Sequence, residues 1–141
     1  MAGFRDFRDI VAWQLAEELK LLADTFLARP EFARRYKYCD QLHDSARSGP
    51  RNIAEGFARY RHKEFAQLTR VARASESEVL NHFIDAVDQR LITRDEFING
   101  QHLAKRAMSA AAGLIIWLES TPDPPGPKYR KKKRKPDEPS V

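Results

Sequence analysis

Cysteine, long apolar runs and a targeting segment are scarce or missing in this chain of 141 residues. Its one cysteine, Cys39, cannot form a disulfide within the chain, so we expect a reducing compartment. The most apolar run, residues 107–118, is too short to span a bilayer, and the N-terminus lacks the apolar stretch of a signal peptide. These absences exclude the secreted, disulfide-rich and membrane-spanning classes. They predict a cytoplasmic protein without a membrane partner.

Motifs of catalysis and metal binding are missing as well. The sequence contains no Ser/His/Asp arrangement, glycine-rich phosphate loop or Cys-x-x-Cys, and none of its four histidines follows a glutamate by three positions, as di-iron helical bundles require. Asp40 with His43, or Glu78 with His82, could supply two ligands, but no second pair completes a site. Cys39 is more typical of a small buried hydrophobe than of a nucleophile. We therefore expect no enzyme, no cofactor and no metal.

The body of the chain is helical. Only Pro30 and Pro50 interrupt it before residue 121, and no segment alternates with the two-residue period of a strand. The 3.6-residue spacing of apolar positions predicts four helices: residues 9–29 with an Asp9 cap, 31–60, 63–90, and 93–120 opening with a Thr93–Glu96 capping box. Because the connections are short, we predict an all-α, antiparallel up-and-down four-helix bundle over residues 1–120. The second helix should kink at Pro50.

Basic residues are concentrated in two regions. Residues 29–73 carry a net charge of +6 and residues 121–141 carry +4, whereas the remaining segments are acidic. The second region holds six of the eight prolines and predicts a disordered Pro/Lys-rich tail. Such asymmetry favours a polyanionic partner or an acidic protein surface, and a solubilising charge pattern is the alternative. The candidate nucleic-acid-binding residues are Arg47, Arg51, Arg59, Arg61 and Lys63 in the body and Lys128, Arg130, Lys131, Lys132, Lys133, Arg134 and Lys135 in the tail.

The segment Ser48–Phe57, SGPRNIAEGF, concentrates unusual residues within one predicted helix. Pro50 frees a backbone carbonyl, and Ser48, Asn52 and Glu55 lie on one helix face where they could hydrogen-bond to it or to a neighbouring helix. Gly56 would permit a close approach of another backbone. Two interpretations stay open: a polar network that fixes a kinked helix, or a set of ligand contacts.

The end of the fourth predicted helix, Leu114–Leu118, is apolar in every direction around the helix axis. A helix that is apolar all round must be covered all round, and one bundle covers about half of it. We therefore predict a subunit interface that includes Ile116 and Trp117. A locally deep core is the alternative.

Three stretches carry a resemblance to a known family: FRDIVAWQLA, DQLHDSARSGPRNIAEGFARYRHKEFAQL and ASESEVL. They resemble the 23S rRNA intervening-sequence proteins, also called four-helix-bundle proteins, over about residues 4–120, with P-x-N-I-A-E-G at residues 50–56 as the most specific motif. The chain departs from the family pattern at four positions. Gly49 stands where the family has a β-branched residue, Ala58 and Ala74 replace glycines, and His62 occupies a small polar position.

The resemblance implies a bacterial four-helix bundle that assembles into a homopentamer and has no catalytic activity. A related branch serves retroelements as an accessory protein that binds nucleic acid and reverse transcriptase. The leading expectation is a non-enzymatic oligomer that binds RNA or DNA. The alternative is a protein-interaction scaffold or an accessory subunit of a nucleic-acid enzyme such as a reverse transcriptase.

Binding should be mostly electrostatic and weakly sequence-specific. The sequence shows no aromatic platform for bases, and Tyr129 is the one stacking candidate in the tail.

Overall fold

The computed structural model describes residues 3–125. Within them lie four α-helices: α1 (Val11–Leu27), α2 (Tyr36–Phe57), α3 (His62–Asp88) and α4 (Arg94–Ser120). Each helix packs against the next along the chain, and α1 also packs against α4. Short connections make consecutive helices antiparallel. The predicted all-α four-helix bundle is confirmed, and the tail cluster of residues 128–135 lies outside the described residues.

The helix starts correct two expectations. Asp9 does not cap α1, because residues 7–9 form a 3₁₀ turn whose own cap is Asp6, and Ile10 occupies the N-cap position of α1. The second helix begins at Tyr36 rather than residue 31. Residues 30–32 form another 3₁₀ turn, which buries the ring of Phe32 under the bundle. This burial favours a tight turn at Pro30 over an early start of α2.

The start of α4 is held as predicted. The Thr93 hydroxyl accepts the Glu96 N–H, and the Glu96 carboxylate accepts the Thr93 N–H, which completes the capping box. Arg29, just after α1, also pairs with Glu96. The hydrogen bond from Arg29, helped by the Thr93 backbone, lowers the pKa of Glu96 to about 2. The pair therefore ties α1 to α4 at this end of the bundle.

Two apolar clusters fill the interior. The first, which we call the closed end, lies where α1 and α3 finish and α2 and α4 begin; its buried residues include Phe26, Phe32, Leu42, Phe83, Leu91 and Ile92. The second, which we call the open end, lies at the opposite ends of the same helices; it includes Ile10, Ile53, Phe65, Leu114 and Leu118, with Phe4, Phe7, Trp13, Phe57 and Trp117 packed around them. Each helix contributes to both clusters.

In the stretch from residue 3 to residue 125, no helix combines the length and apolar character needed to cross a membrane.

Candidate functional site

A polar layer separates the closed end from the open end. The Asn52 side-chain amide donates to the Ser48 carbonyl at 2.8 Å and to the Ser48 hydroxyl at 3.0 Å. The Ser75 hydroxyl, on α3, donates to the Ser48 hydroxyl at 2.7 Å. Asn52 and Ser75 are both buried. These contacts join α2 to α3 and give the predicted polar network its observed form.

The other motif residues divide between packing and solvent. The α-helix continues through Pro50, which is buried, and the kink there stays a prediction. A Cβ at Gly56 would lie 2.6 Å from the Phe65 ring and 3.3 Å from the Phe65 carbonyl oxygen, so this glycine lets α3 approach closely. Glu55 does not join the network, because it is exposed and pairs with Arg59 one turn along α2.

Sequence reasoning missed the most unusual member of the layer, Glu76. Its side chain lies on α3 opposite Gly49, and only 1% of the residue is exposed. Neither carboxylate oxygen has a hydrogen-bond partner among residues 3–125. Burial raises the pKa of Glu76 to about 8, against a smaller opposing effect of Arg73. The carboxyl is thus kept mostly protonated at neutral pH. Its position next to Ser75, in a helical stripe that includes Ala72 and Val79, was the signal available in the sequence.

The basic residues of α2 do not form a continuous stripe of unpaired cations, because two of them take part in ion pairs. Arg47 makes a bidentate ion pair with Asp24 of α1, with both nitrogen–oxygen distances at 3.0 Å. Arg59 pairs with Glu55. Arg51 is exposed and takes part in no ion pair among residues 3–125. The predicted stripe is therefore interrupted at Arg47, which holds two helices together.

The basic residues cluster instead around the α2–α3 connection. Arg59, Lys63 and Arg70 line a surface groove of about 520 Å³, with Arg61 exposed beside it. We call Arg59, Arg61, Lys63 and Arg70 the basic turn. Arg70 pairs with Glu119 of α4, whereas Arg61 and Lys63 join none of the ion pairs within the described part of the chain. Arg70 was not among the sequence candidates. It joins the group because the start of α3 runs beside the end of α4.

The last described residues fold back onto this connection. The Asp123 carboxylate accepts the backbone N–H of His62 at 2.8 Å and so caps the start of α3. The His62 ring donates through Nδ1 to the Thr121 carbonyl at 2.8 Å, and the Tyr60 hydroxyl donates to the Pro124 carbonyl. Residues 121–125, which we call the return segment, therefore place the start of the tail beside the basic turn.

The candidate interface residues at the end of α4 behave differently from each other. Ile116 is 68% exposed and lines a groove of about 640 Å³ between α3 and α4. The α4 side of this groove is apolar, with Met108, Ala112 and Ile115, whereas its α3 side includes Arg70, Arg73 and Ser77. Trp117 is partly covered within the chain by the rings of Phe4 and His62. Ile116 is therefore exposed in a single copy, whereas Trp117 packs within that copy and also lines a groove between α1 and α4. A subunit interface at these two residues stays a prediction.

The residues weighed as metal ligands meet at most in pairs within the described part of the chain. Among residues 3–125, no group of three or more histidine, cysteine, aspartate or glutamate side chains could hold a metal ion. His82 lies 3.7 Å from Glu78, and His43 lies 3.5 Å from Asp44. Cys39 is half-buried with its thiol directed at the Phe32 carbonyl, and burial raises its pKa. Each of these contacts is local to its own helix or turn.

The comparisons with known sequences can now be set beside this geometry. A search of curated proteins found no match. The family described as 23S rRNA-intervening sequence protein matches residues 8–112, which include α1, α2, α3, the polar layer and most of α4. The match confirms the resemblance drawn from the motif around Pro50. Since it covers well over half of the chain, this protein belongs to the 23S rRNA-intervening sequence protein family.

Proposed function

We propose that this protein is a non-enzymatic homo-oligomer that binds single-stranded RNA through the basic turn and the tail. The observation that carries the proposal is that the described part of the chain ends beside the basic turn. The return segment ends beside Arg59, Arg61 and Lys63, and the next residues along the chain include the cluster at 128–135. Neighbouring cations on a folded surface and on a following segment attract the same polyanion, because phosphate binding is additive in charge.

The experiment measures affinity for a labelled single-stranded RNA as a function of salt. Each phosphate contact on a single strand contributes about 0.7 to the slope of log affinity against log salt. If the tail engages about four phosphates, deleting residues 126–141 should flatten the slope by about 3. This deletion keeps Thr121 and Asp123, so it leaves the cap of α3 intact.

A double charge reversal, Arg61→Glu with Lys63→Glu, should weaken the binding that remains. Arg94→Glu with Lys105→Glu is the matched control, because these exposed cations lie on α4 outside the basic turn. If both double variants weaken binding equally, the net charge of the protein, and not the position of the basic turn, determines the affinity. If neither the full chain nor the deletion binds RNA at low salt, the alternative of a protein-interaction scaffold gains over this proposal.

Two grooves that expose apolar residues of α4 support the oligomeric part of the proposal. One lies between α3 and α4 and contains Ile116, and the other, of about 290 Å³, lies between α1 and α4 and contains Val11 and Leu114. Val11 is 60% exposed, so both grooves present apolar surface to water. Two different patches on either side of one helix suit head-to-tail contacts, which form a ring when the rotation between neighbouring copies closes. The homopentamer implied by the family is such a ring.

Ile116→Glu should release monomers in a sedimentation experiment, because it places a charge in an apolar contact. Ile98→Glu is the matched control, since Ile98 is a half-exposed isoleucine nearer the start of the same helix. A wild-type protein that sediments as a 16.3 kDa monomer at micromolar concentration would refute the assembly.

A further inference from the structure

Aromatic side chains that are far apart in the sequence meet at the open end. A cavity of about 170 Å³ lies between the N-terminal segment, the α2–α3 connection, the end of α4 and the return segment. Six rings line it, from Phe4, Phe57, Tyr60, His62, Phe65 and Trp117. The Phe4 and Trp117 rings meet edge to face at 5.7 Å, and His62 lies 5.4 Å from Trp117. Four of these rings lie within residues 57–65, and the fold adds Phe4 and Trp117 from distant parts of the chain.

The return segment builds one wall of the cavity. Pro124 lines it, and the Tyr60 hydroxyl donates to the carbonyl of this proline. The contacts of His62 with Thr121 and Asp123 hold the segment in place from the other side. Because the wall is anchored by hydrogen bonds, a ligand meets a preformed cavity and loses little free energy to ordering it.

The rim of the cavity carries positive charge. Arg59 lines the cavity itself, with half of its side chain exposed, and Arg61 is exposed between Tyr60 and His62 in the chain. An aromatic interior beside cations fits a ligand that joins a flat ring to an anion. Pockets for drug-sized molecules occupy about 300–1,000 Å³, so a cavity of this size suits one ring system.

We propose that this cavity binds one unstacked base of single-stranded RNA while the basic turn holds the adjoining phosphates. The inference rests on the proposed function and deepens it, since it adds base stacking to an electrostatic surface. Tyr60 is 40% exposed at the cavity and is the ring that an incoming base meets first. Stacking of this kind accepts every base, because each has a π face.

The test compares two oligonucleotides of equal length and charge, an oligoadenylate and the same strand with abasic sites at intervals. The full chain should bind the intact strand about tenfold more tightly, which is a typical contribution of one stacked base. Tyr60→Leu and Phe4→Leu should bring the ratio of the two affinities toward one and leave the salt slope unchanged. Tyr36→Leu is the matched control, because this exposed tyrosine begins α2 at the closed end.

Three outcomes would overturn the inference. A ratio of one in the wild-type protein, with salt-dependent binding retained, would reject the base site and leave the proposed function standing. A ratio that both Tyr60→Leu and Phe4→Leu preserve would place base stacking elsewhere, since every variant keeps Tyr129 of the tail. Failure of both strands to bind at low salt would reject the proposed function together with the base site. Thermal unfolding of each variant checks that the bundle is intact.

Discussion

The closed end and the open end of the bundle bury their aromatic residues to different extents. At the closed end Phe26, Phe32 and Phe83 are fully enclosed. At the open end only Phe65 is buried, and Phe4, Phe7, Trp13, Phe57 and Trp117 are only partly covered. The closed end therefore concentrates the apolar burial that stabilises the fold. The open end leaves part of its aromatic surface, together with the basic turn, exposed to solvent.

The largest expected effect tests this difference in burial directly. Phe83→Ala should lower the free energy of unfolding by about 3–5 kcal/mol, because it empties a fully enclosed site next to Phe26 and Gly100. Phe57→Ala at the open end should cost about half as much, since its ring is already partly hydrated. Denaturant unfolding of both variants measures the two values. Equal losses would remove the distinction between the ends.

Glu76 lies at the boundary between the two clusters. Its titration should make the stability of the folded bundle depend on pH. Its pKa is about 8 in the folded protein and near 4.5 in an unfolded chain, so the folded state holds more protons between these values. Stability should therefore fall as pH rises from 4.5 to 8, by on the order of 3 kcal/mol between pH 5 and 8. Glu76→Gln should remove this decline and stabilise the protein at high pH more than at low pH.

Unfolding curves at several pH values check the expectation. Glu78→Gln, two positions along α3, is the matched control because its carboxylate is mostly exposed. A wild-type stability that stays level from pH 5 to 8, or a Glu78→Gln curve as flat as that of Glu76→Gln, would contradict a buried protonated carboxyl at residue 76.

The sequence was sufficient for the bundle but not for the open end. Regular apolar spacing and the capping box at Thr93 are local signals, so four helices and the start of α4 could be predicted from neighbouring residues. The contacts of Ser75 with Ser48 and of Arg47 with Asp24 join different helices, and their partners depend on how those helices pack. The aromatic cavity needs four separate segments of the chain. No spacing rule along one helix can reveal it.

Two glycines on α2 allow a comparison of packing at the open end and in the polar layer, with smaller expected changes in stability. Gly56→Ala should destabilise by about 1–3 kcal/mol, because the new methyl group would overlap the Phe65 ring at the open end. Gly49→Ala, in the polar layer, should be neutral or stabilise by up to about 1 kcal/mol, since its methyl group would meet Ala16 and Glu76 at 3.5 Å. Thermal unfolding separates the two. Similar losses at both positions would mean that helix packing is uniform along α2.

The smallest expected effect contrasts how the two ends cap their helices. At the closed end, Thr93 and Glu96 cap the helix to which they belong, α4. At the open end, α3 is capped by Asp123, which lies in the return segment after α4. Thr93→Ala and Asp123→Ala should each lower stability by about 1 kcal/mol, the usual contribution of an N-cap. Only Asp123→Ala should also release the return segment, because it removes the bond to the His62 N–H. Its affinity for the intact oligoadenylate should then fall toward that for the abasic strand, while Thr93→Ala leaves the ratio unchanged. If both variants lose stability but keep the wild-type ratio of the two affinities, the return segment has no part in binding. The open end would then differ from the closed end in packing only.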